Sequence, residues 1–379
     1  MRDAVIVEAV RTPVGKRKGG LSGVHPSDLS ARVLQELARR SGVDPVNVDD
    51  VIWGCVSQIG EQTYNIARNA VLGAGWPESV PATTVDRQCG SSQQAVHFAA
   101  AGLVSGQYDV VVAGGVESMT RVAMGSSLDG KVPLGELFLE RYGVFPNQGE
   151  GAELIADEWG LSRSQLDEYA LRSHERAAAA QDDGRFEAQI VAIETEAGTV
   201  TADEGIRRGG TLETMAGLKP AFREDGSVTA GNSSQMSDGS AALLMTTSEK
   251  AAELGLTPIA RVHTAVLAGS DPIKMLTGPI PATAKALERS GLRLDEIGVF
   301  EINEAFAPVP LAWLAELGAD DKTMNPLGGA IALGHPLGGS GARIMTTMLH
   351  HMRDQGIRYG LQSMCEGGGQ ANATILELL

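Results

Sequence analysis

The chain is poor in cysteine, with three among 379 residues. So sparse and odd a set builds no disulfide framework and fits a reducing compartment. Long apolar runs are missing too. The clean run near the middle, Val110–Val116, is far too short to cross a bilayer. The opening stretch, Met1–Val10, is broken by Glu8 and lacks the charged start, apolar centre and cleavage site of a secretory leader. The final Leu-Glu-Leu-Leu carries no peroxisomal address, so the expected location is the cytoplasm. Positive charge is in deficit: 31 Lys and Arg stand against 47 Asp and Glu, a net −16. That field argues against nucleic acid or an anionic membrane as partner, and a polyanionic ligand must find a local basic patch. Glycine is what the chain has in excess, 47 residues against the usual ~7%. No Gly-X-Y period explains them. They cluster beside reactive residues, where they permit close backbone approach to a ligand.

Asp3–Val10, Val51–Val56 and Asp109–Ala113 read as buried strands, the last ending in Gly114-Gly115, with helical patterns at Leu29–Arg40 and Cys89–Leu103 between them. The C-terminal third repeats this order, with strands at Ile297–Ile302 and Gly360–Cys365 and a helix at Ser340–Met352. In each case a reactive residue among glycines leads into a helix, a strand and a glycine cluster. The pattern predicts an α/β fold of two duplicated halves with largely parallel sheets. The stretch from Ser118 to about Ser248 is more charged and irregular, with one clear helix near Leu161–Gln181, and reads as an inserted loop domain over a site. The expected division is 1–118, 119–248 and 249–379, with 249–272 able to pack against the N-terminal half.

Three stretches carry the chemistry. Gln88-Cys89-Gly90-Ser91-Ser92 sets a thiol at the start of a helix, where the helix dipole lowers a thiol pKa and small neighbours admit a carbonyl. The bland reading is a buried inert cysteine. Of seven histidines, His335 alone sits among glycines, in Gly334-His335-Pro336-Leu337-Gly338-Gly339. It is the candidate base; His25, His97, His174, His263, His350 and His351 read as structural. Cys365 precedes Gly367-Gly368-Gly369, whose free N–H groups suit an oxyanion hole. Cys55 lacks such company and reads as core. Asn303-Glu304 follows a buried strand and could hold a water or a histidine. The set amounts to a nucleophile, its base and a second acid/base for a substrate carbon.

Arg87-Gln88-Cys89-Gly90-Ser91, Gly114-Gly115-Val116-Glu117-Ser118-Met119, Asn303-Glu304-Ala305-Phe306, Gly334-His335-Pro336 and Cys365-Glu366-Gly367-Gly368-Gly369 together resemble the thiolases, from Val7 to the last strand. The resemblance implies a five-layered αβαβα core of two duplicated halves with a loop domain between them. It implies interconversion of 3-oxoacyl-CoA plus CoA with acyl-CoA plus acetyl-CoA, in lipid degradation or acetoacetyl-CoA metabolism. Cys89 would take the acyl group, His335 would deprotonate it, and Cys365 would move the α-carbon proton. His335 with a water on Asn303 would form one oxyanion hole, and the N–H groups of Cys89 and Gly367 the other. Neither metal nor cofactor is implied beyond CoA and acyl-CoA as substrates, and the assembly expected is a homo-oligomer, dimer or tetramer.

For CoA, the resemblance places Arg207 and Thr214 near the nucleotide and Phe222, Ala230 and Ser234 near the pantetheine. Arg207-Arg208, with Lys219 and Arg223, supplies a basic patch, whereas Lys16-Arg17-Lys18 reads as plain surface. Asn147-Gln148-Gly149, Gln235-Met236-Ser237 and Ala371 depart from the family pattern at the acyl end. Two alternatives stand beside the thiolase reading. A ketoacyl synthase-like condensing enzyme would lack the second cysteine. A non-catalytic acyl-CoA or lipid-binding relative would have lost one of the reactive residues.

Overall fold

The buried runs become strands of one mixed sheet of ten strands, described by a computed structural model over residues 2–379. In chain order the strands are β1 (Val5–Arg11), β2 (Gly15–Lys16), β3 (Asp50–Gly54), β4 (Ala82–Val85), β5 (Val110–Ser118), β6 (Ile193–Thr195), β7 (Gly198–Val200), β8 (Ser237–Thr246), β9 (Ala260–Gly269), β10 (Val299–Ile302), β11 (Tyr359–Glu366) and β12 (Gln370–Leu378). The sheet runs β10-β11-β12-β9-β1-β8-β5-β3-β4, with β2 beside β8 and β6–β7 a separate ribbon.

This sheet is two copies of one plan. In the N-terminal copy β3 is parallel to β4 and β5, then β8 and β1 follow antiparallel. In the C-terminal copy β10 is parallel to β11, then β12 and β9 follow antiparallel. The copies join through two residue pairs, Val5↔Arg261 and Ile6↔Ala260.

Between the half-sheets lie the helices Ser91–Ser105 and Ser340–Gln355. Ala95, Val96, Ala99 and Leu103 meet Ala342, Met345 and Met348 there, with Val111, Leu243 and Val299 from the sheets. A Cβ on Gly341 would overlap the Gln93 backbone, so glycine sets how closely these helices approach. Outside the N-terminal half, the helix Pro26–Ser41 packs Leu29, Leu34 and Leu37 on Val51, Trp53 and Leu244. His25 caps that helix, Pro26 occupies its first turn, and Gly42 in the left-handed region (φ 75°) ends it. Trp53 is fully buried and donates to Ser30 Oγ at 3.1 Å; truncation to Ala would cost about 3–5 kcal/mol. The helices Pro279–Ser290 and Pro308–Leu317 cover the other half through Ala282, Ala286 and Trp313. The result is five layers, helix, sheet, helix, sheet, helix.

The half-sheets are mixed and not largely parallel as expected, because parallel pairing is confined to β3–β4, β3–β5 and β10–β11 while β1, β8, β9 and β12 all pair antiparallel. Two elements differ from the sequence reading as well. β5 runs through Gly114-Gly115 to Ser118 instead of stopping, because a Cβ on Gly115 would overlap the Gly338 carbonyl and the strand must pass close to that loop. The helix after Cys89 begins at Ser91 with Gly90 as its cap, so the thiol precedes the first turn.

Candidate active site

β4 ends at Val85, and the chain turns tightly before its helix. Gln88 takes a left-handed conformation (φ 48°), uncommon without glycine and held by the turn around it. Asp86 accepts from the Gln88 N–H at 2.6 Å, while Ser91 Oγ donates to the Gln88 carbonyl at 2.6 Å and accepts from the Arg87 N–H at 2.9 Å. This braced turn presents Cys89, 4% exposed, against Met119, Leu337 and Met364. The thiol pKa moves opposite to the expectation from its place before a helix. Burial, with Glu366 next, pushes it up to about 12, opposed by its own backbone N–H. A helix terminus is worth at most ~1–2 kcal/mol, and desolvation of a buried thiolate exceeds that. The resting group is a thiol.

His335 follows Gly334 (φ 99°), and its N–H reaches Ser237 Oγ and the Gln235 carbonyl, both at 3.2 Å. Its Nδ1 lies 2.6 Å from Ser340 Oγ, which donates its one hydrogen to the Pro336 carbonyl at 2.8 Å. Nδ1 must therefore be the donor, leaving the Nε2 lone pair free. Burial, with Arg343 second, holds the imidazole down to about 3, so it is neutral. Asn303 Nδ2 lies 3.5 Å from Nε2, too far for a good hydrogen bond, and its buried Oδ1 has no partner.

Cys365 lies fully buried near the end of β11, opposite Ala371. Burial raises its pKa, and Cys89 is the next cause, so the two thiols stand within electrostatic reach. Beyond it a Cβ on Gly367 would sit 3.0 Å from Gln88, which brings this hairpin turn onto the Cys89 turn. Asn303 follows β10 and donates its N–H to the Ser363 carbonyl at 3.1 Å. Thus Cys89 comes from the turn after β4, at the edge of one half-sheet. Asn303 and Cys365 come from the carboxyl ends of the neighbouring parallel strands β10 and β11 of the other, ends where α/β sheets place ligands. His335 comes from the loop between them. The arrangement can offer a nucleophile, a neutral base with a free lone pair, and a second proton carrier.

A cavity of about 580 Å³ is lined by Lys16, Arg17, Arg207, Ala230, Ser234 and Gln235 among others. A smaller one of about 300 Å³ joins at Arg207 and includes His174 and Arg208. Arg207, Ala230 and Ser234 thus line one cavity. Phe222 lies edge-on to Phe306 at 5.8 Å, while the Thr214 hydroxyl is occupied in a capping box with Thr211. Lys16 and Arg17, read from sequence as plain surface, border the larger cavity instead, because the β2–β8 pairing carries them there. Arg208 pairs with Asp182, and Arg223 with Glu150 and Asp157, so neither is a free cation. Among the described residues Arg207, Lys16, Arg17 and Lys219 have no ion pair. Asn147 caps the helix Gln148–Glu158, and Gln235 Nε2 donates to the Gly205 and Ile331 carbonyls at 2.8 Å, so both departures also hold loops in place. Ser340, which orients His335, carried no motif of its own; its place just after Gly338-Gly339 was the available signal.

Comparison with known proteins gives the family and supports the fold. A model of the thiolase N-terminal domain matches residues 4–249, and one of the thiolase C-terminal domain matches 256–378. A steroid 3-ketoacyl-CoA thiolase of Mycobacterium tuberculosis is 51% identical, covering 100% of this chain and 95% of that protein. A 3-ketoacyl-CoA thiolase of Pseudoalteromonas translucida is 46% identical, covering 100% and 99%. The crystal structure of the Bacillus anthracis acetyl-CoA acetyltransferase superposes with a TM-score of 0.92 at 41% identity, covering 100% and 99%. The chain belongs to the thiolase family of acyltransferases.

Proposed function

We propose that this thiolase cleaves and forms 3-oxoacyl-CoA through an acyl group carried on Cys89. In cleavage, His335 Nε2 takes the Cys89 proton as sulfur attacks the 3-oxo carbon. The bond between C2 and C3 then breaks. The acetyl-CoA carbanion takes a proton from Cys365. CoA then gives its thiol proton to the Cys365 thiolate as its sulfur displaces the acyl group from Cys89, and the Cys89 thiolate recovers the proton held on His335. Condensation runs the same steps backwards. The observation that carries this reading is the Nε2 lone pair, freed by the Ser340 relay, beside turns that pack on one another, Gly367 against Gln88 and Leu337 with Cys89. With a buried thiol and a neutral imidazole at rest, proton transfer belongs to the attack itself. Negative charge on oxygen would be met by His335 with a water on Asn303, and by the N–H groups of Cys89 and Gly367. The unpartnered Asn303 Oδ1 suits such a water.

The segment 119–248 would bind CoA, with Arg207 and Thr214 toward the nucleotide and Phe222, Ala230 and Ser234 along the pantetheine; its last strand, β8, returns to the sheet. No other cofactor is assigned. The names of the relatives support 3-ketoacyl-CoA thioesters as the substrate class and lipid breakdown as the setting. A homo-oligomer is supported by the open edge of β4, with Phe98 and Val104 exposed nearby. A cytoplasmic place is consistent with three free thiols, and no helix among the described residues is long and apolar enough to cross a membrane.

The test is intact-mass detection of the acyl-enzyme during thiolysis across short, medium, long and polycyclic 3-oxoacyl-CoA. Cys365→Ala should leave Cys89 acylated by acyl-CoA while C–C cleavage stops. Full thiolysis by that variant would end the two-cysteine scheme.

A further inference from the structure

Glu366, between Cys365 and Gly367, has no part in the scheme above. It is fully buried, and neither carboxyl oxygen meets a hydrogen-bond partner. It lies directly on the Cys89 turn: a Cβ on Gly90 would overlap Glu366 Oε1 and stand 2.6 Å from Asn372 Nδ2. Asn372 donates that amide to the Gly90 carbonyl at 3.1 Å, and its own Oδ1 is another buried acceptor without a donor. Since Glu366 pairs with Gln370 and Met364 with Asn372, both side chains project from one face of the β11–β12 hairpin.

The turn therefore rests on a pocket with three unpartnered acceptors, the two Glu366 oxygens and Asn372 Oδ1, against one unpartnered donor, Arg87 Nε. A carboxylate would deepen that shortage and add an unpaired buried charge, whereas a neutral acid supplies an O–H. The ionisable groups facing it are Asp86, Arg87 and Cys89 from the turn and Cys365 from β11. β12 offers Gln370 and Asn372, both uncharged, and on the adjoining helix His97 is tied to Thr374 Oγ1 at 2.7 Å. Arg87 makes no ion pair with Glu366; its terminal nitrogen donates to Gln370 at 2.9 Å.

We propose that Glu366 is a positioning residue that supports the Cys89 turn as a neutral carboxylic acid, and that its ionisation suppresses Cys89 reactivity through the negative charge it places beside the sulfur. Its consequence for turnover rests on Cys89 being the nucleophile, while the effect on thiol reactivity does not. Burial first, and Asp86 against the opposing pull of Arg87, keeps the Glu366 proton up to about 8, and charge on Glu366 raises the Cys89 pKa. Reactivity is thus held back in mildly alkaline solution, where an ordinary thiol gains it.

The test compares wild type with Glu366→Gln, which keeps the shape and a donor. Cys89 alkylation by iodoacetamide is followed by peptide mass from about pH 6.5 to 9.5 and Cys89 acetylation by acetyl-CoA by intact mass, against a Cys365 background. The two proteins should agree near pH 6.5, and the variant should alkylate roughly ten-fold faster near pH 9. A rate ratio constant with pH would overturn the proposal, as would failure of the isosteric variant to fold. Thermal unfolding gives a second reading. A folded-state pKa above the unfolded value stabilises in acid and loses that stability as pH rises through about 8. Wild type should therefore lose melting temperature relative to Glu366→Gln between about pH 5 and 9, and parallel curves would count against it. Absence of acetylation in both proteins, with the alkylation ratio still rising, would sink the nucleophile reading and keep this one.

Discussion

The last ladder pair of the parallel strands is Gly54↔Gly115 in one half and Ile302↔Ser363 in the other. One residue further on stand Cys55 and Asn303; two further stand Glu117 and Cys365. The N-terminal pair is structural. Cys55 is packed in the core with its pKa driven up by burial, and Glu117 accepts from the N–H groups of Val56, Ser57 and Gly338 and from Gln62. The C-terminal pair faces the site. The loops match as well: β4 leads through Cys89 into Ser91–Ser105, and Met324, bridged to Phe300 beside β10, leads through His335 into Ser340–Gln355. Equivalent places in a duplicated plan thus carry different work. In the proposed scheme the N-terminal half holds the nucleophile and anchors its partner's loop, while the C-terminal half holds the base and the second thiol.

Breaking this division should be most costly at the nucleophile. Cys89→Ala should lower thiolysis by roughly 10⁴-fold or more and abolish the acyl-enzyme mass. Second in effect, Ser340→Ala frees the His335 tautomer and should lower kcat/KM about 10–100-fold with little change in KM, measured by steady-state thiolysis. Glu117→Ala strips an acceptor from three backbone donors and should cost about 2–4 kcal/mol in denaturant unfolding, with activity lost through the Gly338 loop. The imidazole adds a pH test. Burial lowers the His335 pKa to about 3, so the folded chain binds fewer protons than the unfolded one between there and ~6.5, and stability falls as pH drops through that window. His335→Gln should flatten that acid-side loss of melting temperature. Smallest of all, Cys55→Ala should retain full activity and cost about 1 kcal/mol; a large kinetic defect would mean the two strand ends are less distinct than their surroundings imply.

The duplicated order of strands and helices was legible because buried strands and helices leave their periods in the chain. The three reactive turns were legible because glycine marks close approach. Features set only by tertiary contact were not. Gly114-Gly115 reads as a strand end until Gly338 is seen against it. Lys16 and Arg17 read as surface until β2 folds beside β8, and Ser340 and Glu366 carry no local sign of the groups they meet. The Cys89 thiol reads in the opposite direction from sequence, since a local helix effect is visible there and the depth of burial is not.

β1 lies at the middle of the sheet, yet its neighbours are β8 and β9, from Ser237 and Ala260 onward. A chain emerging from the ribosome therefore carries this opening strand unpaired through most of translation, its hydrogen-bonding edges available to any passing strand. Closure waits on contacts of very large sequence separation, which slows folding and exposes a sticky intermediate. Production yield should consequently be more sensitive to chaperone supply and to substitutions in Val5–Arg11 than the stability of the finished protein would indicate.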